Sequence, residues 1–272
     1  MSVIPDRTQE GASPQVPAAD QTLRILSYLA RQRGPVAART ISDSLGIPRS
    51  SVYHLLKAMA AHGFVVHVPG DRRWGLGTAA FELAGGYTRQ QPLARLGRPL
   101  VARLADRLGE STHLAVMTGR DVLYIVEERA PRRPALVTDV GVRLPAHLAA
   151  TGRAMLAALP REQVRALYPD AASFADRTGR GPGNPRELRD VLRQTRQDGF
   201  AREDGEVTLG FRSVAVAVGD HAGWPAAAIA VTWPAGPAGN DTDNDNNADD
   251  KTPRLAAAVA AEAAELRRRL YG

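Results

Sequence analysis

The run from Thr40 to His62 constrains this chain more than any other. Two short helical patterns meet there at Gly46-Ile47-Pro48. A glycine can adopt the left-handed conformation that ends a helix, and a proline suits the first turn of the next one. In the second pattern Val52, Leu55, Leu56 and Met59 recur at i, i+3, i+4 and i+7. At about 100° per residue, Ser50, Tyr53, His54 and Lys57 fall on the opposite side. In the first, Thr40 and Asp43 have capping-box spacing, and Ile41 and Leu45 face inward. Upstream, Asp20 is placed to cap a helix carrying Leu23, Ile25, Leu26, Leu29 and Ala30, stopped by Gly34-Pro35. Downstream, Phe64 to Val68 and Arg72 to Leu76 read as two strands around the turn Pro69-Gly70-Asp71. Three helices followed by a hairpin make a winged helix-turn-helix.

Charge gives this unit a partner. The 272 residues hold 35 Lys and Arg against 29 Asp and Glu, a formal net charge of +6. Between Gln21 and Gly77 eight basic residues face only Asp43 and Asp71, and the rest of the chain balances. A basic field confined to one small domain points to double-stranded DNA. Arg49, Ser50 and Ser51 occupy a first helical turn, where donors can hold a phosphate, and Tyr53, His54 and Lys57 project toward base edges in the major groove. Arg72 and Arg73 on the wing are placed to reach the adjacent backbone or minor groove.

The rest of the chain reads as a second domain. Residues 1–20 are rich in Pro, Ala, Gln and Ser and are expected to be a disordered tail. The winged unit spans 21–77, a linker helix 78–92, and the second domain 93–272; the helical pattern from Thr78 to Leu108 breaks at Gly85-Gly86, Pro92 and Pro99. Strands are expected at Thr112 to Met117, Val122 to Glu127, Ala135 to Val140, Ser213 to Val218 and Ala226 to Trp233. Helices are expected at Thr151 to Ala158, Glu162 to Leu167, Pro185 to Asp198 and Arg254 to Leu270. Without a βαβ alternation, this is an α+β chain with a mostly antiparallel sheet. Residues 239–251 hold five aspartates and four asparagines and read as a flexible acidic loop; they lack the glycine and closing glutamate of a calcium-binding hand. There is no cysteine, no metal-ligand spacing among His113, His147 and His221, and no acidic ribose partner behind Gly75-Leu76-Gly77. No cofactor and no metal are expected. Without a secretory leader or a membrane-spanning run, the expected location is cytoplasmic, with no membrane partner.

The run Leu45-Gly46-Ile47-Pro48-Arg49-Ser50-Ser51-Val52-Tyr53-His54-Leu55-Leu56, with Gly63-Phe64 and Trp74-Gly75-Leu76-Gly77, resembles the DNA-binding half of IclR-type transcriptional regulators. Arg143-Leu144-Pro145-Ala146-His147, Thr151 to Ala157, Gly199-Phe200-Ala201, Gly205-Glu206 and Gly210 resemble the landmarks of that family's effector domain, in order. The resemblance implies a GAF-like domain that binds a small organic acid. It implies Ala150, Thr151, Glu203, Ser213, Ala230 and Thr232 at the lining positions, with backbone N–H groups near Gly152 adding to them. His54 stands where many members have arginine, and Ala150 and Ala230 replace small polar or glycine residues.

The expected function is therefore a ligand-responsive repressor, a homodimer or homotetramer on a pseudo-palindromic operator. A second reading makes the chain an enzyme with an attached DNA-binding domain, in which Glu203, Glu206 and His147 supply the acid–base work. A third leaves the pocket empty in normal use. Ser213 and Thr232 equally fit buried hydroxyls bonded to backbone, and Glu203 an exposed loop charge.

Overall fold

A computed structural model describes residues 16–32, 34–83, 92–131, 133, 136–235 and 251–272. The chain divides into two compact units between Gln91 and Pro92. Among the described residues no helix is long and apolar enough to cross a membrane.

The first unit runs α1 (Pro17–Leu29), β1 (Val36–Ala37), α2 (Ala38–Leu45), α3 (Arg49–Ala61), β2 (Val65–Val68) and β3 (Arg73–Leu76). The strands form an antiparallel sheet in the order β1-β3-β2. Ile25, Leu29, Ile41, Ile47, Val52, Leu56, Met59, Val65 and Trp74 make its core. Gly46 ends α2 at φ 64°, a left-handed conformation that costs glycine nothing. The turn is locked from within, because the Ser42 hydroxyl donates to the Ile47 carbonyl at 2.7 Å.

Two helix starts differ from expectation. Pro17 opens α1, so Asp20 lies in its first turn and faces Arg24 across 3.8 Å instead of capping. Residues 17–20 are thus helical rather than tail, and 1–15 lie outside the described residues. Val36-Ala37 pair with Trp74 and Arg73 of β3, which brings the start of α2 forward to Ala38. Thr40 is then inside the helix and no capping box forms; Asp43 pairs with Arg39 at 3.6 Å. Residues 78–83 are helical; the linker beyond them, 84–91, lies outside the described residues.

The second unit contains α4 (Pro92–Leu108), β4 (Ser111–Thr118), β5 (Asp121–Glu128), β6 (Arg143–Pro145), α5 (Ala150–Ala158), α6 (Arg161–Leu167), α7 (Pro185–Asp198), β7 (Ala201–Asp204), β8 (Phe211–Gly219), β9 (Pro225–Pro234) and α8 (Thr252–Tyr271). Its strands form one antiparallel sheet in the order β6-β5-β4-β9-β8-β7. Alternation divides the faces. Leu114, Val214, Ile229 and Val231 pack with Leu100 and Leu104 of α4 and Leu255 and Val259 of α8. Ala115, Ala215, Ala228 and Ala230 share the other core with Ala150, Ala154 and Met155 of α5.

Pro99 sits inside α4 without ending it, contrary to the expected break. The strand expected over Ala135 to Val140 is absent from the described part, 136–140. Gly141, at φ 88°, donates to the Tyr124 carbonyl and delays the edge pairing to Arg143. Strand β7 was not expected: four residues, two of them exposed and charged, carry little β signal. Of the acidic stretch 239–251, only Lys251 is described.

Leu56 is fully buried and His54 exposed. Leu56→Ala is expected to lower stability by about 2–5 kcal/mol in urea unfolding, whereas His54→Ala should change it by less than about 0.5 kcal/mol.

Candidate functional site

On α3 the residues sort by face. Val52, Leu56 and Met59 are buried, while Arg49, Ser50, Tyr53, His54 and Lys57 are exposed and Ser51 is half-buried. Arg72 and Arg73 are exposed at the β2–β3 turn, with Arg72 at φ 50°. The basic residues of this unit do two different jobs. Arg24 donates to the Leu45 carbonyl at 2.7 Å and pairs with Asp20, and Arg39 pairs with Asp43. Arg49, Lys57, Arg72 and Arg73, and Arg31 just past the end of α1, form no ion pair among the described residues, so their charge is uncompensated at the surface.

The second unit holds a narrow cavity against the α5 face of the sheet. Its volume is about 20 Å³, room for roughly one water. Ala150, Thr151, Glu203, Ser213, Ala230 and Thr232, spread over 83 positions of sequence, all line it. Tyr124, Leu136, Val137, Thr138, Ala149, Val207, Thr208 and Phe211 complete the wall. Gly152 is not part of the lining. A Cβ there would lie 2.2 Å from the Ala146 carbonyl oxygen, so glycine lets the preceding loop pack on the first turn of α5.

Strand register explains the polar part of the wall. Thr232 pairs with Ser213, and Ser213 with Glu203, which lays the three side chains across β9, β8 and β7 in one row. The Ser213 hydroxyl donates to Glu203 Oε2 at 2.8 Å and lies 3.0 Å from Thr232 Oγ1. The Val207 N–H donates to Glu203 Oε1 at 3.0 Å. The hydroxyls are thus bonded to side chains rather than backbone, and Glu203 is 4% exposed rather than a loop charge. Burial pushes its carboxyl above the usual range, against the pull of Val207 and Ser213. Tyr124 Oη lies 3.4 Å from Thr151 Oγ1, and burial pushes that phenol up to about 12, so it stays protonated.

The three acid–base candidates are not gathered. Only Glu203 lines the cavity; Glu206 is paired with buried Arg153 at 2.9 Å, and His147 Nε2 lies 2.9 Å from the Ala175 carbonyl.

A profile described as the IclR helix-turn-helix domain matches residues 18–69, and one described as the C-terminal domain of the bacterial transcriptional regulator IclR matches 85–248. The chain belongs to the IclR family of transcriptional regulators. The Acetate operon repressor of Salmonella typhimurium is 29% identical over 264 residues, covering 96% of this chain and 93% of that one. The Transcriptional repressor IclR of Escherichia coli is 29% identical over 225 residues, 82% of each chain. An IclR regulator of known structure from Alicyclobacillus acidocaldarius has the same fold, with a TM-score of 0.79 at 20% identity over 94% of this chain and 99% of that one. Another, an IclR homologue from Microbacterium hydrocarbonoxydans complexed with 4-hydroxybenzoate, has a TM-score of 0.75 at 21% identity, over 93% and 98%.

In this IclR-family chain the sequence motifs missed Tyr124, Thr138 and the Val207–Phe211 rim. Tyr124 lies on a strand whose apolar pattern reads as core, and nothing local marks it as lining. His113 was dismissed as a metal ligand, but it lies on the cavity side of β4, paired with Ala230 and edge-on to Tyr124 at 5.7 Å. Neither ring nitrogen has a hydrogen-bond partner among the described residues, and burial lowers the ring to about 3.

That pKa sets a pH dependence. Below about 6.5 the unfolded chain takes up a proton at this ring, while the folded chain refuses it until about pH 3, so stability falls with pH through that window. His113→Gln removes the contribution. The stability of the wild type relative to the variant should fall by about 2 kcal/mol between pH 7.5 and pH 5, read by chemical denaturation.

Proposed function

We propose that this protein is a ligand-responsive transcriptional repressor that binds a pseudo-palindromic operator, as a homodimer or homotetramer, and holds a small organic acid in the cavity of its second unit. The observation that carries the DNA reading is the division of the basic residues of the first unit: of the five cations unpaired among the described residues, four lie on α3 and the wing, and two further cations are spent on the fold. Unpaired surface cations are what displace counterions from a duplex. Arg49, Ser50 and Ser51 would hold phosphates, Tyr53, His54 and Lys57 would address the groove, and Arg72 and Arg73 the flanking backbone. The relatives named as repressors favour that sign of regulation.

For the ligand, Ala150, Thr151, Glu203, Ser213, Ala230 and Thr232 would make the contacts, and the N–H groups of Ala150 and Thr151 in the α5 first turn would add to them. The relative that holds 4-hydroxybenzoate supports a small organic acid. Because the cavity has room for little more than water, such a ligand must part the 136–138 and 207–211 loops from the sheet. Its affinity then differs between the closed and the widened form, which is the condition for a ligand to shift a population.

The deciding experiment is a salt-titrated binding assay on DNA upstream of the protein's own coding sequence, with random DNA as competitor. Specific, salt-sensitive binding is expected, and equal affinity for operator and random DNA under every ligand condition overturns the proposal. Arg49→Ala should reduce the slope of log affinity against log salt by about 0.9. Tyr53→Ala with His54→Ala should change which sequence is preferred, as read by selection from random DNA; unchanged selectivity would place recognition elsewhere.

A further inference from the structure

The two ends of the cavity have opposite hydrogen-bonding character. At one end Ala149, Ala150 and Thr151 line the wall, and α5 starts there without a side-chain cap. The N–H groups of Ala150, Thr151 and Gly152 precede the first intrahelical bond, in which Arg153 N–H donates to the Ala149 carbonyl at 2.9 Å. That end supplies donors and the positive end of a helix dipole.

The row of Thr232, Ser213 and Glu203 supplies only acceptors. A serine has one hydroxyl hydrogen, and Ser213 spends it on Glu203. In the 3.0 Å contact between the two hydroxyls Thr232 must then donate to Ser213, which spends its hydrogen too. With Glu203 ionised, the row from Thr232 to Glu203 has lone pairs to offer and no hydrogen left.

Charge sharpens the contrast. Among the described residues no Lys or Arg lines the cavity. The charged groups near Glu203 are Arg153 of α5 and Glu206 of the following loop, with neutral Tyr124 across on β5. Arg153 lies outside the lining; its Nε and Nη1 donate to the carbonyls of His147 and Arg202 at 2.8 Å, its Nη1 pairs with Glu206 at 2.9 Å, and its Nη2 has no hydrogen-bond partner among the described residues. A separate observation points to a missing ligand group: Thr138 is 7% exposed, lines the cavity, and has an Oγ1 with no hydrogen-bond partner among the described residues. A buried hydroxyl left unpaired needs an explanation, and a ligand or water in the cavity supplies one.

We infer that the ligand carries a hydrogen-bond donor, a hydroxyl or an amine, in addition to its acid group, and that the donor meets Glu203 while the acid meets the first turn of α5. The inference rests on the cavity being the effector site. A plain monocarboxylate satisfies only the α5 end. It leaves the acceptor row facing its apolar part, and if turned round it sets one carboxylate against another. A hydroxy or amino acid satisfies both ends at once.

The test is isothermal titration calorimetry of the full-length protein with matched pairs that differ only in the donor: propionate and lactate, benzoate and 4-hydroxybenzoate, 3-phenylpropionate and phenylalanine. Within a pair that binds, the donor-bearing member is expected to bind at least about tenfold more tightly, the order of one hydrogen bond to a charged group. Glu203→Gln should reduce that preference to within about threefold, with a thermal melt confirming the variant's fold. The wild-type comparison stands whether or not the variant folds. Equal or tighter binding of the plain acid overturns the donor requirement and leaves the cavity as an acid-binding site. Absence of binding by every member of every pair overturns the organic-acid effector itself.

Discussion

Side-chain size on one face of the six-stranded sheet controls the second unit. Ala115, Ala201, Ala215, Ala228 and Ala230 give that face a shallow relief, so α5 can lie close to it. The closeness is taken up again at Gly152, whose missing Cβ admits the Ala146 carbonyl. The opposite face, with Leu114, Val126, Ile229 and Val231, is bulky and dry under α4 and α8. The cavity lies on the alanine side, where small residues leave a gap that hydroxyls and one carboxyl occupy. Ala150 and Ala230 belong to that same economy of volume. They make the wall less polar than a threonine or serine would, and they concentrate its hydrogen bonding in one row.

Buried and exposed charge are used for different ends in the two units. Arg153 is 3% exposed and ties the loop at His147, the β7 backbone at Arg202 and the carboxylate of Glu206 together, so its guanidinium acts as a structural junction. Its Nε and Nη1 are met by these partners, which offsets much of the cost of burying the charge, while its Nη2 has no hydrogen-bond partner among the described residues. On α3 and the wing the cations are left hydrated and unpaired, which costs the fold little and keeps them available. One residue type thus serves as a rivet in one unit and as a counterion in the other.

Much of this was legible from residue order, and the reason is distance along the chain. The helices from Thr40 to His62, the wing and most strands of the second unit follow from local periodicity and from Gly and Pro. What was misread depends on partners far away in sequence. Thr40 has the chemistry of a cap, but β1 pairs with β3 nearly forty positions later and draws the helix start forward. Residues 136–138 are apolar and β-branched enough to suggest a strand, yet they form cavity wall. Six lining residues were named from the family resemblance, but their assembly into a hydrogen-bonded row was not. That row exists only through the register of β7, β8 and β9, and neither spacing nor motif carries that information.

Pro99 gives the second unit an uneven mechanical profile. Having no N–H, it removes one rung from the α4 hydrogen-bond ladder, at the Arg95 carbonyl, while the helix continues to Leu108. Two residues past the proline, the Val101 carbonyl accepts from the Thr112 hydroxyl at 2.8 Å, and Thr112 adjoins Ser111, the strand partner of Thr232. The helix is therefore pinned to the sheet two residues beyond the turn that lacks a rung, through the strand that pairs with Thr232. The missing rung thus costs the helix little, because Ala94 before it and Leu100 and Val101 after it are buried in the same core.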